Sequence, residues 1–136
     1  MAFADDGISR KIENSNVGPS APTVTLAEAC KRGDVLGYDS GWKRALATVS
    51  SVVQGRVVAL QEGEADDEVP VSPCPVVSGY TGATPGSPVY VAEGSDNGKI
   101  TQTAPSTSGD ANTIIGVALS ETKVLFFLNA RADSTA

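Results

Sequence analysis

Two stretches of this 136-residue chain repeat one plan. Gly33-Asp34-Val35-Leu36-Gly37-Tyr38 leads, through a short turn and a Thr/Ala/Ser stretch, to Gly55-Arg56-Val57-Val58-Ala59-Leu60. Gly86-Ser87-Pro88-Val89-Tyr90-Val91 leads in the same way to Ile114-Ile115-Gly116-Val117-Ala118-Leu119. Each half reads as a Gly-opened apolar strand, a turn (Ser40-Gly41-Trp42-Lys43, then Asp96-Asn97-Gly98-Lys99-Ile100), a polar β-prone stretch, and a strand ending in Val-Ala-Leu. A chain that spells one hairpin plan twice is expected to be all-β. The expected body is a small β-barrel or β-sandwich, β-tulip-like, built from two similar halves and preceded by an extended N-terminal arm.

Composition agrees. Aromatic residues are only 5% and charged residues 19% of a chain that is 40% hydrophobic, so its core must come mainly from Val, Leu, Ile and Ala. Gly, Ser, Thr and Pro are scattered throughout, and no long Leu/Glu/Lys/Arg run at helical spacing interrupts them. The length suits one compact domain.

The first 22 residues are polar, rich in Asn, Ser and Gly, and end in Gly18-Pro19-Ser20-Ala21-Pro22. Apolar side chains occur there singly, as Phe3, Ile8, Ile12 and Val17, too few to bury a face. Residues 1–22 therefore read as an arm, either a frayed terminus or a strand that pairs with a neighbouring subunit's sheet edge through those four side chains. The body follows over 23–132, with halves of about 23–78 and 79–132, and 133–136 form a tail. Strands are expected near 34–39, 43–49, 55–61, 68–78, 88–93, 99–104 and 114–120. Thr23 to Ala29 alternates as a strand, or ends in one helical turn before Gly33.

Val69-Pro70-Val71-Ser72-Pro73-Cys74-Pro75 carries three prolines, which donate nothing to a ladder, so it reads as an edge strand. Lys123-Val124-Leu125-Phe126-Phe127-Leu128-Asn129, the most apolar run, reads as the central strand, buried on both faces. Glu62-Gly63-Glu64-Ala65-Asp66-Asp67-Glu68 reads as a solvated loop joining the halves, its spacing matching no calcium loop.

Chemistry-bearing patterns are sparse. Histidine is absent, which removes the commonest general base and metal ligand. Cys30 and Cys74 lack CxxC spacing and zinc partners, and are expected as reduced, half-buried thiols. No GxGxxG or Walker pattern supports nucleotide binding. No catalytic, cofactor-binding or metal-ligating residue is therefore nominated. The net charge of −6 argues against nucleic acid, the basic residues Lys31-Arg32 and Lys43-Arg44 being a sparse group at a solvated edge. No segment is long and apolar enough for a membrane helix, and the acidic N-terminus is unlike a secretory signal. Trp42, the single tryptophan, stands at a predicted turn as either a lid over the end of a small barrel or an exposed interface anchor. Tyr38, Tyr80 and Tyr90 have the same two readings, with Tyr90 inside a strand.

With these strands placed, the chain resembles the capsid cement, or head decoration, proteins of tailed bacteriophages. The resemblance runs over roughly residues 23–130 and rests on the order and spacing of the Gly33-Asp34-Val35-Leu36 opening, the Gly55-Arg56-Val57-Val58-Ala59-Leu60 strand, the Gly86-Ser87-Pro88-Val89-Tyr90-Val91 restart and Ile114-Ile115-Gly116-Val117-Ala118-Leu119. The proline-rich segment at 70–75 and the two cysteines depart from it. The resemblance implies a non-enzymatic protein, often a trimer, made in the host cytoplasm and seated on the virion's outer capsid surface. Its implied partner is the major capsid protein, with the arm adding a strand to it, and its implied role is to hold the expanded shell against packaged DNA. Two other classes compete: a fibre or baseplate module binding host glycans through Trp42 and the tyrosines, and a hydrolase using the acidic loop at 62–68.

Overall fold

A computed structural model describes residues 2–130 and 133–136. The described residues form eleven short strands: β1 (Lys11–Asn14), β2 (Thr23–Thr25), β3 (Val35–Tyr38), β4 (Trp42–Arg44), β5 (Val57–Ala59), β6 (Glu68–Ser72), β7 (Val76–Ser78), β8 (Pro88–Val91), β9 (Ile100–Thr101), β10 (Ile114–Ala118) and β11 (Lys123–Phe126). They make two antiparallel sheets, ordered β2-β6-β5-β3-β4 and β1-β7-β11-β10-β8-β9. The protein is all-β and sandwich-like, not a closed barrel. A single bridge from Leu26 to Trp42 brings the two ends of the five-stranded sheet together without closing it.

The repeat in the sequence is a repeat in the fold. Setting β1 aside, the second sheet has the topology of the first, each strand β2 to β6 finding its counterpart in β7 to β11. The correspondence reaches single hydrogen bonds. Gly33 N–H donates to the Ala59 carbonyl at 2.8 Å and Ala59 N–H to the Asp34 carbonyl at 2.9 Å. In the second half, Gly86 N–H donates to the Ala118 carbonyl at 2.8 Å and Ala118 N–H to the Ser87 carbonyl at 3.1 Å. Both glycines occupy the third position of a four-residue turn, closed by Asp34 N–H to the Lys31 carbonyl and by Ser87 N–H to the Thr84 carbonyl. Their φ angles of 86° and 82° lie in the left-handed region that a type II turn needs at this place, which is why glycine opens each half.

Side chains alternate as a half-buried strand requires. Val89 and Val91 of β8, and Val124 and Phe126 of β11, face inward. The larger core joins both halves: Val35, Ala45, Ala47 and Val58 pack in one cluster with Val77, Tyr80, Val89, Val91, Ile100, Ile115, Val124 and Phe126. A smaller cluster of Leu26, Cys30, Leu36, Ala59, Val69 and Val71 lies within the first half. Burial of a shared core makes the halves one folding body rather than two domains.

Three expectations are corrected. The proline-rich segment is not an edge strand: β6 lies between β2 and β5, and β7 lies between β1 and β11. Pro73-Cys74-Pro75 is instead the crossover between sheets, and its carbonyls do the bonding a proline nitrogen cannot. The Pro73 carbonyl accepts from Leu128 N–H, that of Pro75 from Phe126 N–H, and that of Pro70 from Leu60 N–H. The change of sheet thus precedes β7, a few residues before the boundary drawn at 78. The apolar run at 123–129 is central, but it is buried on one face only, with Leu125 half-buried and Phe127 45% exposed. The acidic stretch 62–68 does not join the halves. It turns the chain from β5 into β6, folded back by a bridge between Cys30 and Gly63 and by Glu64 N–H donating to the Asp67 carboxylate.

Candidate functional site

The segment read as an arm is extended, but it lies against its own body. Ala4 and Thr81 exchange both backbone hydrogen bonds, at 2.9 and 3.1 Å, and β1 pairs antiparallel with β7. Of the four apolar side chains expected to engage a neighbour, two point home. Phe3 packs on the larger core with its ring 5.7 Å from Tyr80, and Ile12 packs on the same cluster. Val17 is half-buried, and only Ile8, 74% exposed, faces solvent.

What holds the segment is polar and was not singled out from the sequence. Arg10 is buried, and its guanidinium sits 2.6 Å from the Asp34 carboxylate and 3.5 Å from that of Asp5, all three side chains at most 4% exposed. Arg10 also donates to the Gly7 carbonyl, and Arg32 donates back to the Arg10 carbonyl. Asp5 accepts from the amides of Gly7 and Ile100. Burial pushes the Asp5 carboxyl up from its ordinary value, while Arg10 and those two amides pull it down. Next to it, exposed Asp6 is held near 2, first by the Ser9 hydroxyl and then by the Ser9 and Ile8 amides. Asp34 opens the first half of the repeat and Arg10 sits beside Lys11 in a polar stretch, so no periodicity announces their pairing. Nothing in the sequence sets Arg10 apart from its exposed neighbour Lys11.

An exposed apolar surface lies elsewhere. Pro73, Cys74, Ile114, Phe127, Leu128 and Asn129 line a shallow, mostly apolar groove of about 730 Å³. Ile114 and Phe127 are 47% and 45% exposed on its rim. The groove exists because the β10–β11 pair ends where the inter-sheet crossover passes it. Past the end of β11, Leu128 N–H bonds the Pro73 carbonyl and Phe127 N–H bonds the Ile115 carbonyl.

Trp42 is half-buried. It packs on the smaller core at the end of its sheet, and its ring meets Tyr38 edge-on at 5.6 Å, Tyr38 being 65% exposed. Tyr80 is wholly buried and Tyr90 half-buried. The two cysteines are free and separate: Cys30 is buried in the smaller core, where burial pushes its thiol up to about 11, and Cys74 is half-buried at the groove. The basic residues are largely spoken for, Arg44 bonded to Glu28 at 2.8 Å and Arg32 to the arm. The tail is exposed yet pinned, Arg56 holding Asp133 through two bonds of 2.8 and 2.7 Å.

Fold and surface together define an all-β two-sheet protein with an internal repeat, a docked N-terminal strand and an apolar groove. Comparison with protein-family models, curated proteins and solved structures finds no match for this chain.

Proposed function

We propose that this chain is a non-enzymatic capsid decoration protein, which binds the outer surface of a phage head as a trimer and clamps the expanded shell against the pressure of packaged DNA. The observation that carries the reading is the groove at Ile114, Phe127 and Leu128, a mostly apolar surface lined by no carboxylate and no basic side chain. Apolar rims of this kind suit a protein contact, and a clamp that repeats weak contacts around a shell gains avidity from them. The resemblance in strand order supports the same reading, and the exposed Ile8 extends the contact surface along the docked arm. The test is co-sedimentation with expanded heads and with immature shells of a tailed phage, alongside a mass determination of the free protein. Saturable binding to expanded heads, lost in Phe127→Ser, supports the reading, and failure to bind either form overturns it.

One observation favours a second reading, a fibre or baseplate module for host glycans. The exposed Tyr38 ring paired with Trp42 is the kind of aromatic platform that stacks on sugar rings. Glycan binding lost in Tyr38→Ala, with no capsid binding by the parent chain, would select it.

A further inference from the structure

The two sheets are stacked the same way round. In the first, Ser72, Val58 and Val35 stand side by side on β6, β5 and β3, and all three are wholly buried. This face lies against the second sheet, with Val35 and Val58 packing in one cluster with Val77, Val89 and Val124. The opposite face of the first sheet carries Leu36, Ala59 and Val71, which the repeat matches to Val89, Ala118 and Val124. That face is closed off by the smaller core, where Leu26 and Cys30 pack on it and Trp42 lies beside them.

The other end of the stack is open. Pro88, Val117 and Leu125 are the counterparts of Val35, Val58 and Ser72, and the register extends their row to Val76, across β8, β10, β11 and β7. Alternation with the buried Val77, Val89, Val124 and Phe126 turns this row outward. Its four side chains are half-buried, and none belongs to either core cluster. Leu119 and Phe127, the next outward positions to either side, are 49% and 45% exposed. The face that the first repeat buries is therefore left at the surface in the second, with leucine where the first repeat has serine. A contiguous apolar face of this kind marks an interaction surface.

We infer that this face docks a second copy of the chain, sheet on sheet about a two-fold axis. What covers the equivalent face in the first repeat is a sheet of the same plan, so a sheet of this kind fits its shape. A head-to-tail stack of copies is blocked, because the Leu36 face that would continue it is already closed by Leu26 and Cys30. Among the described residues, the apolar sheet face that a second copy has to offer is therefore this same one, and a surface that pairs with itself is isologous. The charges agree. Lys11, Ser78 and Lys123 form the neighbouring row on one side. An axis running along the apolar row lays that lysine side over the Phe127 side of the other copy, so that like charges do not meet. The pairing concerns the free protein and does not rest on the capsid reading.

The test is sedimentation equilibrium of the full chain over about 1–100 µM. The expected result is a concentration-dependent balance between one chain of 13.8 kDa and a pair. Leu125→Thr, which keeps a β-prone side chain, should weaken the pair by about 10-fold or more, and Val117→Lys should abolish it. Circular dichroism and thermal unfolding check that each variant is folded. Ile8→Ser, exposed on the arm, should leave the mass unchanged. A single chain at about 100 µM overturns the inference, and so does a free trimer, which no two-fold contact makes. A pair that Leu125→Thr and Val117→Lys both retain also overturns it. So does a parent that stays single in solution yet loses binding to expanded heads in Leu125→Thr, which would give the face to a capsid protein.

Discussion

Arg10 and Asp34 stand 24 residues apart in the chain and 2.6 Å apart in space, both buried. The pair joins the N-terminal segment to the opening turn of the first repeat, and Asp5 makes it a triad. Replacing one member strands the others in the interior. Arg10→Met should cost about 3–5 kcal/mol in urea unfolding, because two buried carboxylates lose their only cation. The triple variant Arg10→Met, Asp5→Asn, Asp34→Asn should recover much of that loss. Equal stability of the single and triple variants would show that packing, not charge, holds the segment.

Asp5 and Asp6 are neighbours with opposite responses to pH. Burial raises Asp5, so the folded state holds its proton more tightly than the unfolded chain does. Its contribution to stability is therefore full below the unfolded value and declines as pH rises through the folded one. Asp6 is lowered to about 2, so its contribution is present above the unfolded value and fades as pH falls toward 2. Asp5→Asn should gain on the parent as pH rises above about 4. Asp6→Asn should flatten the acid loss of hydrogen-exchange protection at Ser9 N–H. Parallel pH profiles for parent and variants would contradict both assignments.

Gly33 and Gly86 share a backbone conformation but not a neighbourhood. A methyl group at Gly86 meets nothing within 4 Å, so Gly86→Ala should cost only the left-handed strain, on the order of 1–3 kcal/mol. At Gly33 the same methyl would come 3.0 Å from three atoms of Arg10. Gly33→Ala should cost more, and the excess should shrink in an Arg10→Ala background. An excess that persists there would remove the arm contact as its cause.

The thiols should differ in reactivity. Cys30 is buried with its thiol raised to about 11, whereas Cys74 borders the groove. A thiol reagent at pH 8 should modify one cysteine per folded chain, mapping to Cys74, and both after denaturation. Rapid labelling of Cys30 in the native protein would contradict the packing of the smaller core.

Phe127 is exposed, so Phe127→Ser should leave the free energy of unfolding within about 0.5 kcal/mol of the parent. Its effect belongs on binding to expanded heads, and a large loss of stability would recast the groove as part of the core.

The repeat was legible because it is written in local signals. A glycine with positive φ, an alternating apolar strand and a closing Val-Ala-Leu are short-range features, and the hydrogen bonds of Gly33 and Gly86 reproduce them closely. The arm was misjudged because apolar count measures only one way of ordering a segment. Residues 4–14 are held by strand pairing and by charges whose partners, Asp34 and Ile100, lie far along the chain. The three prolines misled for a related reason: proline forbids donation, but a carbonyl on either side still accepts, and Pro70, Pro73 and Pro75 all use theirs. The groove could not be read from β11 alone, because Pro73, Ile114 and Phe127 meet only through the topology.

The docked arm also sets a timetable. Asp5 takes a hydrogen bond from Ile100 N–H, 95 residues later, and Ala4 pairs with Thr81. The bond at Ile100 has to wait for a segment of the second repeat, so this part of the arm is among the last contacts to close.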